Sequence, residues 1–144
     1  QSWASMMSDN FIKPGAEVQA LMEAHGCSFV AFAPLEKGLL LDKFDPENPP
    51  TFDEGDIRNQ LGDKFAAEGL RALKPKLARL KERFGSTTED LSSAAVRFVA
   101  AHPNVCSVIP GFRNERQARC NVRAAADATM SEADVAFCRE VFAG

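Results

Sequence analysis

Two short segments rich in glycine and proline carry residue types that could bind an anion. The first covers residues 33–40 and reads Ala-Pro-Leu-Glu-Lys-Gly-Leu-Leu, and the second covers residues 109–114 and reads Ile-Pro-Gly-Phe-Arg-Asn. Asn114 could cap a helix that begins after it. The free N–H groups of a helix N-terminus attract anions, and Arg113 beside them offers a fork of donors that suits a phosphate. The second segment therefore predicts a phosphate site, with a tight turn and a solvated arginine as the alternative.

Each of these turns follows a predicted strand. Residues 28–33 and residues 105–109 are short apolar runs that end at a proline. Because both faces of each run are apolar, we predict that both strands are buried. Ligands of parallel α/β proteins bind at the carboxyl ends of the strands, so both turns are expected at the ligand-binding edge of a sheet.

Helical periodicity fills most of the remaining chain. A first helix is predicted over residues 16–25, with Gly26 after its end. Residues 58–84 carry an apolar face with steps of three and four, and Pro75 within them either starts a second helix or kinks one. Further helices are predicted over residues 91–101 after a capping box at Thr87 and Asp90, from Asn114 to about Asp127, and after Ser131.

The order of elements predicts the fold class. Strands separated by helices indicate βαβ units and a parallel sheet. Two or three strands are too few for a whole sheet that is covered on both faces, so the chain is expected to be part of a larger α/β architecture. Residues 42–56 are rich in proline and acidic residues, which is typical of a long loop that forms a lid or a binding loop.

The composition argues against several classes of protein. The 144 residues include 17 Lys+Arg and 20 Asp+Glu, a formal net charge of −3, whereas general nucleic-acid binders carry a basic surplus. The most apolar stretch, residues 29–35, is far shorter than the ~20 residues of a membrane-spanning helix. We therefore expect neither a nucleic-acid partner nor a membrane partner. The chain starts with Gln1 instead of methionine, which suggests a processed chain or a truncated one.

The cysteines are expected to be reduced and buried. None of them forms a C-x-x-C pair, and each lies among apolar or helical neighbours. Disulfide bonds, or a role as metal ligand or nucleophile, are the alternatives. The four residues are Cys27, Cys106, Cys120 and Cys138. This usage indicates a reducing, cytoplasmic compartment.

The two turns, with the strands before them, resemble the aldo-keto reductase family. Residues 29–44 read Phe-Val-Ala-Phe-Ala-Pro-Leu-x-x-Gly-Leu-Leu-x-x-Lys-Phe, similar to the V-x-A-(Y/F)-S-P-L-x-x-G-L-L-T-G-K-(Y/F) pattern of the family's seventh strand. Residues 108–113, with Gln117 and Asn121, are similar to the I-P-G-x-R segment of the eighth strand and the Q and N that follow it. The loop with Asp56-x-Arg58 fits the longer-loop members, and the resemblance covers nearly the whole chain.

The resemblance implies an eight-stranded TIM barrel that reduces aldehydes and ketones with NADPH or NADH. A complete barrel takes ~250 residues, so 144 residues would form its C-terminal portion, a partial (β/α)8 barrel. The implied organisation is a single incomplete domain over residues 1–144: a possible strand six and helix (1–26), strand seven and the long loop (27–56), helices (57–102), strand eight and a helix (103–128), and a C-terminal helix (129–144).

The resemblance also implies which residues contact the cofactor. Those along the pyrophosphate would be Ala33, Pro34, Leu35, Gly38 and Leu39. Those near the 2′-phosphate and the adenosine would be Gly111, Phe112, Arg113, Gln117 and Asn121, with Ile109 at the end of strand eight completing the set. Ala33 stands where the family usually has a serine, and Cys120 stands where it often has an acidic residue. Each lost hydrogen bond typically costs ~1 kcal/mol, which lowers the affinity for the cofactor by roughly tenfold or less.

The family's catalytic Asp, Tyr, Lys and His lie on earlier strands, which this chain lacks. In the family the Tyr gives a proton to the carbonyl oxygen while the cofactor gives a hydride, and this sequence contains no Tyr. His25 and His102 are expected at the surface or at helix ends. We therefore assign no catalytic residue and no metal ligand to this chain.

Two functions follow from the resemblance. In the first, the chain is the cofactor-binding portion of a reductase of small carbonyl substrates. It would be inactive until it is joined to the missing N-terminal half of the barrel or to a partner chain. In the second, the chain is a non-catalytic remnant that serves as a structural or regulatory subunit of a larger assembly, with its open sheet edge covered by partners.

Overall fold

The computed structural model describes residues 1–127 and 129–143. Ala128 and Gly144, which end the predicted segments 103–128 and 129–144, lie outside the described residues. Within those residues, three short strands form one parallel sheet in the order β1-β2-β3. The strands are β1 (Ser2–Trp3), β2 (Phe29–Phe32) and β3 (Val105–Ile109). This arrangement confirms the predicted α/β fold with a parallel sheet.

The pairing register brings the carboxyl ends of the strands together. Trp3 is paired with Phe32, and Phe32 is paired with Ile109. Each of these residues is the last one of its strand. The turns that follow the strands therefore begin side by side, at the edge of the sheet where parallel α/β proteins bind ligands.

Helices connect the strands, and α3 packs against β3. The α-helices of the described residues are α1 (Glu17–His25), α2 (Ala67–Phe84), α3 (Thr88–Ala100), α4 (Glu115–Ala126) and α5 (Glu132–Phe142). Short 3-10 helices span Glu36–Leu41, Ile57–Gln60 and Gly62–Phe65. None of these helices is long and apolar enough to cross a membrane.

Local side-chain contacts confirm the predicted helix ends. The hydroxyl of Thr87 accepts from the backbone N–H of Asp90, and the carboxylate of Asp90 accepts from the N–H of Thr87, which completes the capping box of α3. Asn114 and Ser131 cap α4 and α5 by accepting from the N–H three residues on. After α1, Gly26 adopts the left-handed conformation with φ 63°, which a side chain would disfavour.

The predicted helix over residues 58–84 is wrong in its first part. Two 3-10 turns precede α2. The carboxylate of Asp56 accepts from the N–H of Arg58 and thereby caps a separate short turn, and Gly62 has a φ of 60° that interrupts the helical path. The helix α2 then continues through Pro75, so the alternative that a second helix starts there is wrong.

The core lies where α3 packs on the sheet and α2 packs on both α3 and α5. The predicted apolar face of α2 is buried at Leu70, Leu73, Leu77 and Leu80, while Phe84 is half-buried. In α3, Phe98 and Val99 have no exposed surface. Burial of these side chains removes apolar surface from water and is the main source of stability.

The prediction that the strand over residues 105–109 is buried is wrong. Cys106, Ser107 and Ile109 are exposed, and Val105 and Val108 are only half-buried. The strand β3 lies at the edge of the sheet and pairs with β2 alone, and α3 packs against it. An apolar strand is buried on both faces only where elements cover both faces, and β3 has exposed residues on each face: Cys106 on one, and Ser107 and Ile109 on the other.

The predicted burial of the cysteines holds for one of them. All four thiols are free, as predicted, and Cys138 is buried, which raises the pKa of its thiol to about 12. Cys27 and Cys106 are exposed because one follows the end of α1 and the other lies on the open strand β3. Within the described part of the chain, no group of three or more His, Cys, Asp or Glu could hold a metal ion.

His102 lies just after α3, as predicted for a helix end, but it is buried instead of at the surface. Its Nδ1 lies 2.9 Å from the carbonyl oxygen of Phe98, to which it donates, and its Nε2 accepts from Nη2 of Arg139 at 2.7 Å. Nε of Arg139 donates to the carboxylate of Asp9 at 2.7 Å. The imidazole thus joins α3, α5 and the segment after β1.

The buried imidazole predicts a loss of stability in mild acid. Burial and the charge of Arg139 lower the pKa of His102. Below the ordinary histidine pKa, the unfolded chain takes up a proton that the folded chain does not, so stability falls as pH falls, by at most about 1.4 kcal/mol per pH unit. Urea unfolding at pH 7.5 and 5.5 should show a smaller loss for His102→Asn than for the wild type. Equal losses in the two proteins would contradict this assignment.

Candidate functional site

A cavity of about 460 Å³ opens where the strands end. Its walls are the turns after β2 and β3, the first turns of α3 and α4, and the short turn around Asp56 and Arg58. The volume lies within the range of small-molecule sites. Because the register places Phe32 beside Ile109, the two segments that the sequence singled out meet in this one cavity.

Most of the residues that the resemblance implies for cofactor binding lie together here. Nine of the eleven line the cavity: Ala33, Leu35, Gly38, Ile109, Gly111, Phe112, Arg113, Gln117 and Asn121. Pro34 and Leu39 are not among the lining residues, because both side chains are buried in the core behind the turn. The role of each residue in cofactor binding stays a prediction.

The turn before α4 is held in place by side chains of the helix. Oε1 of Gln117 accepts from the backbone N–H of Arg113 at 2.7 Å, while its own N–H donates to the Asn114 side chain at 3.0 Å. Nδ2 of Asn121 lies 3.5 Å from the carbonyl oxygen of Gly111. These contacts fix the turn so that Arg113 and the N-terminus of α4 face the same cavity, which favours an anion.

Four further cations line the cavity: Lys37, Lys43, Arg58 and Arg116. Two acidic residues of the lining pair with two of them, Asp56 with Arg58 and Glu89 with Arg116. Partial burial, together with the positive charges of Arg58 and Arg113, lowers the pKa of Lys43. Lys43 is therefore close enough to both guanidinium groups to be repelled by them, and an anion bound between them would relieve that repulsion. The arrangement is suited to a ligand with more than one negative charge.

The guanidinium of Arg58 is held rigidly. Its Nε and Nη2 donate to the two carboxylate oxygens of Asp56 at 2.9 and 2.5 Å. The same guanidinium lies 3.9 Å from the centre of the Phe52 ring, a cation–π contact. Hydrogen bonds from Arg58 hold the pKa of the Asp56 carboxyl well below its ordinary value. A pre-oriented arginine loses little conformational freedom when it binds a phosphate.

Sequence reasoning did not assign Lys43 or Arg58 to the site. Lys43 belongs to the segment that resembles the family's strand seven, and Arg58 belongs to the loop that fits the longer-loop members. Those two motifs are the sequence signals from which these residues could have been predicted. The contacts of Arg58 with Phe52 and Asp56 are local. The approach of Lys43 and Arg58 to Arg113 joins segments far apart in the chain, and periodicity and spacing do not contain it.

The turn after β2 has an unusual backbone. Four residues other than glycine have positive φ angles: Ala33, Glu36, Lys37 and Asp42. Such conformations cost on the order of 1–3 kcal/mol each and persist only where other contacts enforce them. One such contact is buried: the hydroxyl of Ser5 donates to the carboxylate of Glu36 at 2.5 Å. The turn is therefore held from the segment after β1.

The two departures from the family pattern both lie at the cavity. Ala33 and Cys120 are lining residues. The methyl group of Ala33 offers no hydrogen bond to a ligand. The thiol of Cys120 is turned toward α3, where it lies 3.8 Å from the carbonyl oxygen of Glu89. Neither residue adds a charge to the lining of the cavity.

Comparison with known proteins identifies the family that this chain resembles. A family model described as the aldo/keto reductase family matches residues 4–143. Uncharacterized oxidoreductases from Mycobacterium bovis and from two strains of Mycobacterium tuberculosis are each 34% identical over 102 residues. The matched region covers 71% of this chain and 29% of each relative, so this chain spans less than a third of the curated relatives that it matches.

Proposed function

The chain belongs to the aldo/keto reductase family, and from that premise we propose that it is the cofactor-binding, C-terminal portion of an NAD(P)H-dependent reductase of small carbonyl compounds. One observation carries this proposal: Lys43, Arg58 and Arg113 meet at the N-terminus of α4, in one cavity at the carboxyl ends of the strands. The oxidoreductase names of the curated relatives are consistent with it.

The residues around the cavity fit a phosphorylated dinucleotide. The 2′-phosphate of NADPH carries two negative charges, and three cations with a helix N-terminus supply the donors and the field that such a group requires. When bound, the nicotinamide supplies the hydride for the reduction. The role of this chain would be to bind the cofactor: the cations hold the phosphate, and the buried turn after β2 gives the rest of the dinucleotide a rigid wall.

We propose that the sheet of this chain is part of a (β/α)8 barrel. An open strand edge with exposed apolar residues is a site for further strand pairing. On β3 the exposed side chains include Ile109, and on β1 Trp3 is half exposed. The remaining strands, from an N-terminal half of the protein or from a partner chain, would cover both edges and bring the catalytic Asp, Tyr, Lys and His. The cytoplasmic compartment indicated by the cysteines is part of this proposal.

The proposal is tested by comparing two proteins. The full encoded protein that contains this chain should bind NADPH, detected by the change in nicotinamide fluorescence, and should oxidise it when an aldehyde or ketone is added. The 144-residue chain alone should show no carbonyl-dependent oxidation, because it has no Tyr to protonate the carbonyl oxygen. Turnover by the chain alone would show that catalysis does not depend on residues outside it.

The alternative function is a non-catalytic subunit. The observation in its favour is that Ala33 and Cys120 line the cavity in place of a hydroxyl and an acidic side chain. A full encoded protein that binds NADPH without oxidising it in the presence of any carbonyl compound would favour a structural or regulatory role. Sustained turnover would exclude that role.

A further inference from the structure

Asp42 connects the turn after β2 to the helix α2. Its carboxylate accepts from Nζ of Lys74 at 2.6 Å through one oxygen and from Nζ of Lys81 through the other. The side chain of Asp42 is 12% exposed, while each lysine is about one-third exposed. These are charge-assisted hydrogen bonds in a partly dry setting, which are stronger than surface ion pairs.

The backbone at Asp42 explains why this contact is needed. Its φ is 50°, a left-handed conformation that aspartate tolerates better than most residues but that still requires support. Lys74 and Lys81 are seven residues apart and so lie on the same face of α2. Without a carboxylate between them, their charges would repel each other. The contact therefore holds the end of the turn in place and gives the ammonium groups of both lysines a hydrogen-bond acceptor.

The residue that follows is Lys43, and its side chain is also confined. A Cβ atom on Gly38 would lie 2.8 Å from Cε of Lys43, so the lysine stem passes directly over the bare glycine backbone. Nζ of Lys43 lies 5.1 Å from the centre of the Phe44 ring. The path of Lys43 into the cavity starts from the backbone that directly follows Asp42.

We propose that Asp42 is a positioning residue: by binding Lys74 and Lys81 it fixes the backbone from which Lys43 reaches the phosphate of the cofactor. This inference rests on the proposed function of the cavity. It assigns to α2, which does not line the cavity, a part in binding through an ionic contact.

The first test uses two substitutions in the full encoded protein. Asp42→Asn removes the charge but tolerates the left-handed backbone, and Asp42→Gly relieves the backbone as well. We expect each to weaken NADPH binding about tenfold and NADH binding less than about threefold, because the lysine serves the 2′-phosphate. Dissociation constants come from nicotinamide fluorescence. Glycine adopts the left-handed conformation without strain, so weaker NADPH binding by Asp42→Gly cannot be caused by backbone strain.

The second test asks whether Asp42 acts through Lys43. Lys43→Ala alone should weaken NADPH binding, and adding Asp42→Gly to that variant should weaken it no further, because the lysine to be positioned is gone. Glu47→Gln is the control. Glu47 pairs with Arg71 of α2 at 2.9 Å on the exposed surface. Glu47→Gln therefore removes one negative charge from the same loop and breaks an ion pair with the same helix, as the Asp42 variants do. NADPH binding should change less than about twofold.

Two results would overturn this role. One is an Asp42 variant that binds NADPH as tightly as the wild type while Lys43→Ala does not. The other is a pair of losses that multiply in the Asp42→Gly, Lys43→Ala double variant. A wild-type protein that binds neither NADPH nor NADH would instead overturn the proposed function, and with it this role.

Discussion

Replacement of Arg113 by alanine should weaken the binding of NADPH about 100-fold and that of NADH by no more than about threefold. The reason is charge. Arg113 lies next to the N-terminus of α4 and within the field of Lys43, so it is placed to donate to the 2′-phosphate that only NADPH carries. Hydrogen bonds between charged groups contribute about 1.5–3 kcal/mol, and the loss of about 2.7 kcal/mol is a factor of 100.

Arg119→Ala is the matched control for this prediction. Arg119 lies on α4, six residues after Arg113, where it is paired with Glu115 at 2.5 Å, and it does not line the cavity. Each variant loses one positive charge at or near the N-terminal part of α4, so a general electrostatic effect would appear in both. Fluorescence titration of the full encoded protein with each dinucleotide measures the result. An equal loss of affinity for NADPH and NADH in Arg113→Ala would show that Arg113 does not bind the 2′-phosphate.

Phe98→Ala should destabilise the protein by about 3–5 kcal/mol. Phe98 is fully buried in α3, and its ring lies edge-on to the ring of His102 at 5.1 Å. Truncation would remove apolar contacts and leave a cavity that the surrounding helices cannot fill without moving. Such a loss is a large fraction of the stability of a typical domain. The free energy of unfolding in urea at neutral pH measures it.

Phe112→Ala makes the same chemical change at an exposed position. Phe112 is 64% exposed, so its truncation should change the free energy of unfolding by less than about 0.5 kcal/mol. Phe98→Leu should fall between the two, because it keeps most of the buried volume. Similar losses at Phe98 and Phe112 would mean that α3 does not form the core described above.

Much of the secondary structure could be predicted because it depends on near neighbours. The caps at Thr87, Asn114 and Ser131 each need a backbone N–H three residues away, and the apolar face of α2 repeats every turn. The exposure of β3 and the burial of His102 depend instead on which elements pack against them. The break before α2 is a local feature: Asp56 caps a short turn through the N–H of Arg58, and Gly62 has a positive φ. Neither of these appears in the apolar periodicity from which the helix was predicted.

The candidate site divides in the same way. The turns after β2 and β3 were recognisable from their proline, glycine and arginine residues, and most of the residues implied for the cofactor do line one cavity. The contributions of Lys43, Arg58 and the Asp42 contact with α2 were not predicted. The contact of Asp42 with α2 and the approach of Lys43 to Arg113 join segments that are distant along the chain, whereas the contact of Arg58 with the Phe52 ring is local.

The sequence by itself determined the α/β class, the helices with their caps, and the two turns that carry the family resemblance. Those features depend on the periodicity and spacing of residues that are close along the chain. Only the tertiary structure decided that Lys43, Arg58 and Arg113 converge on one cavity and that α2 anchors the turn from which one of them extends. The physical reason is that electrostatic fields and packing act through space, so they join segments whose separation in sequence carries no signal of their contact.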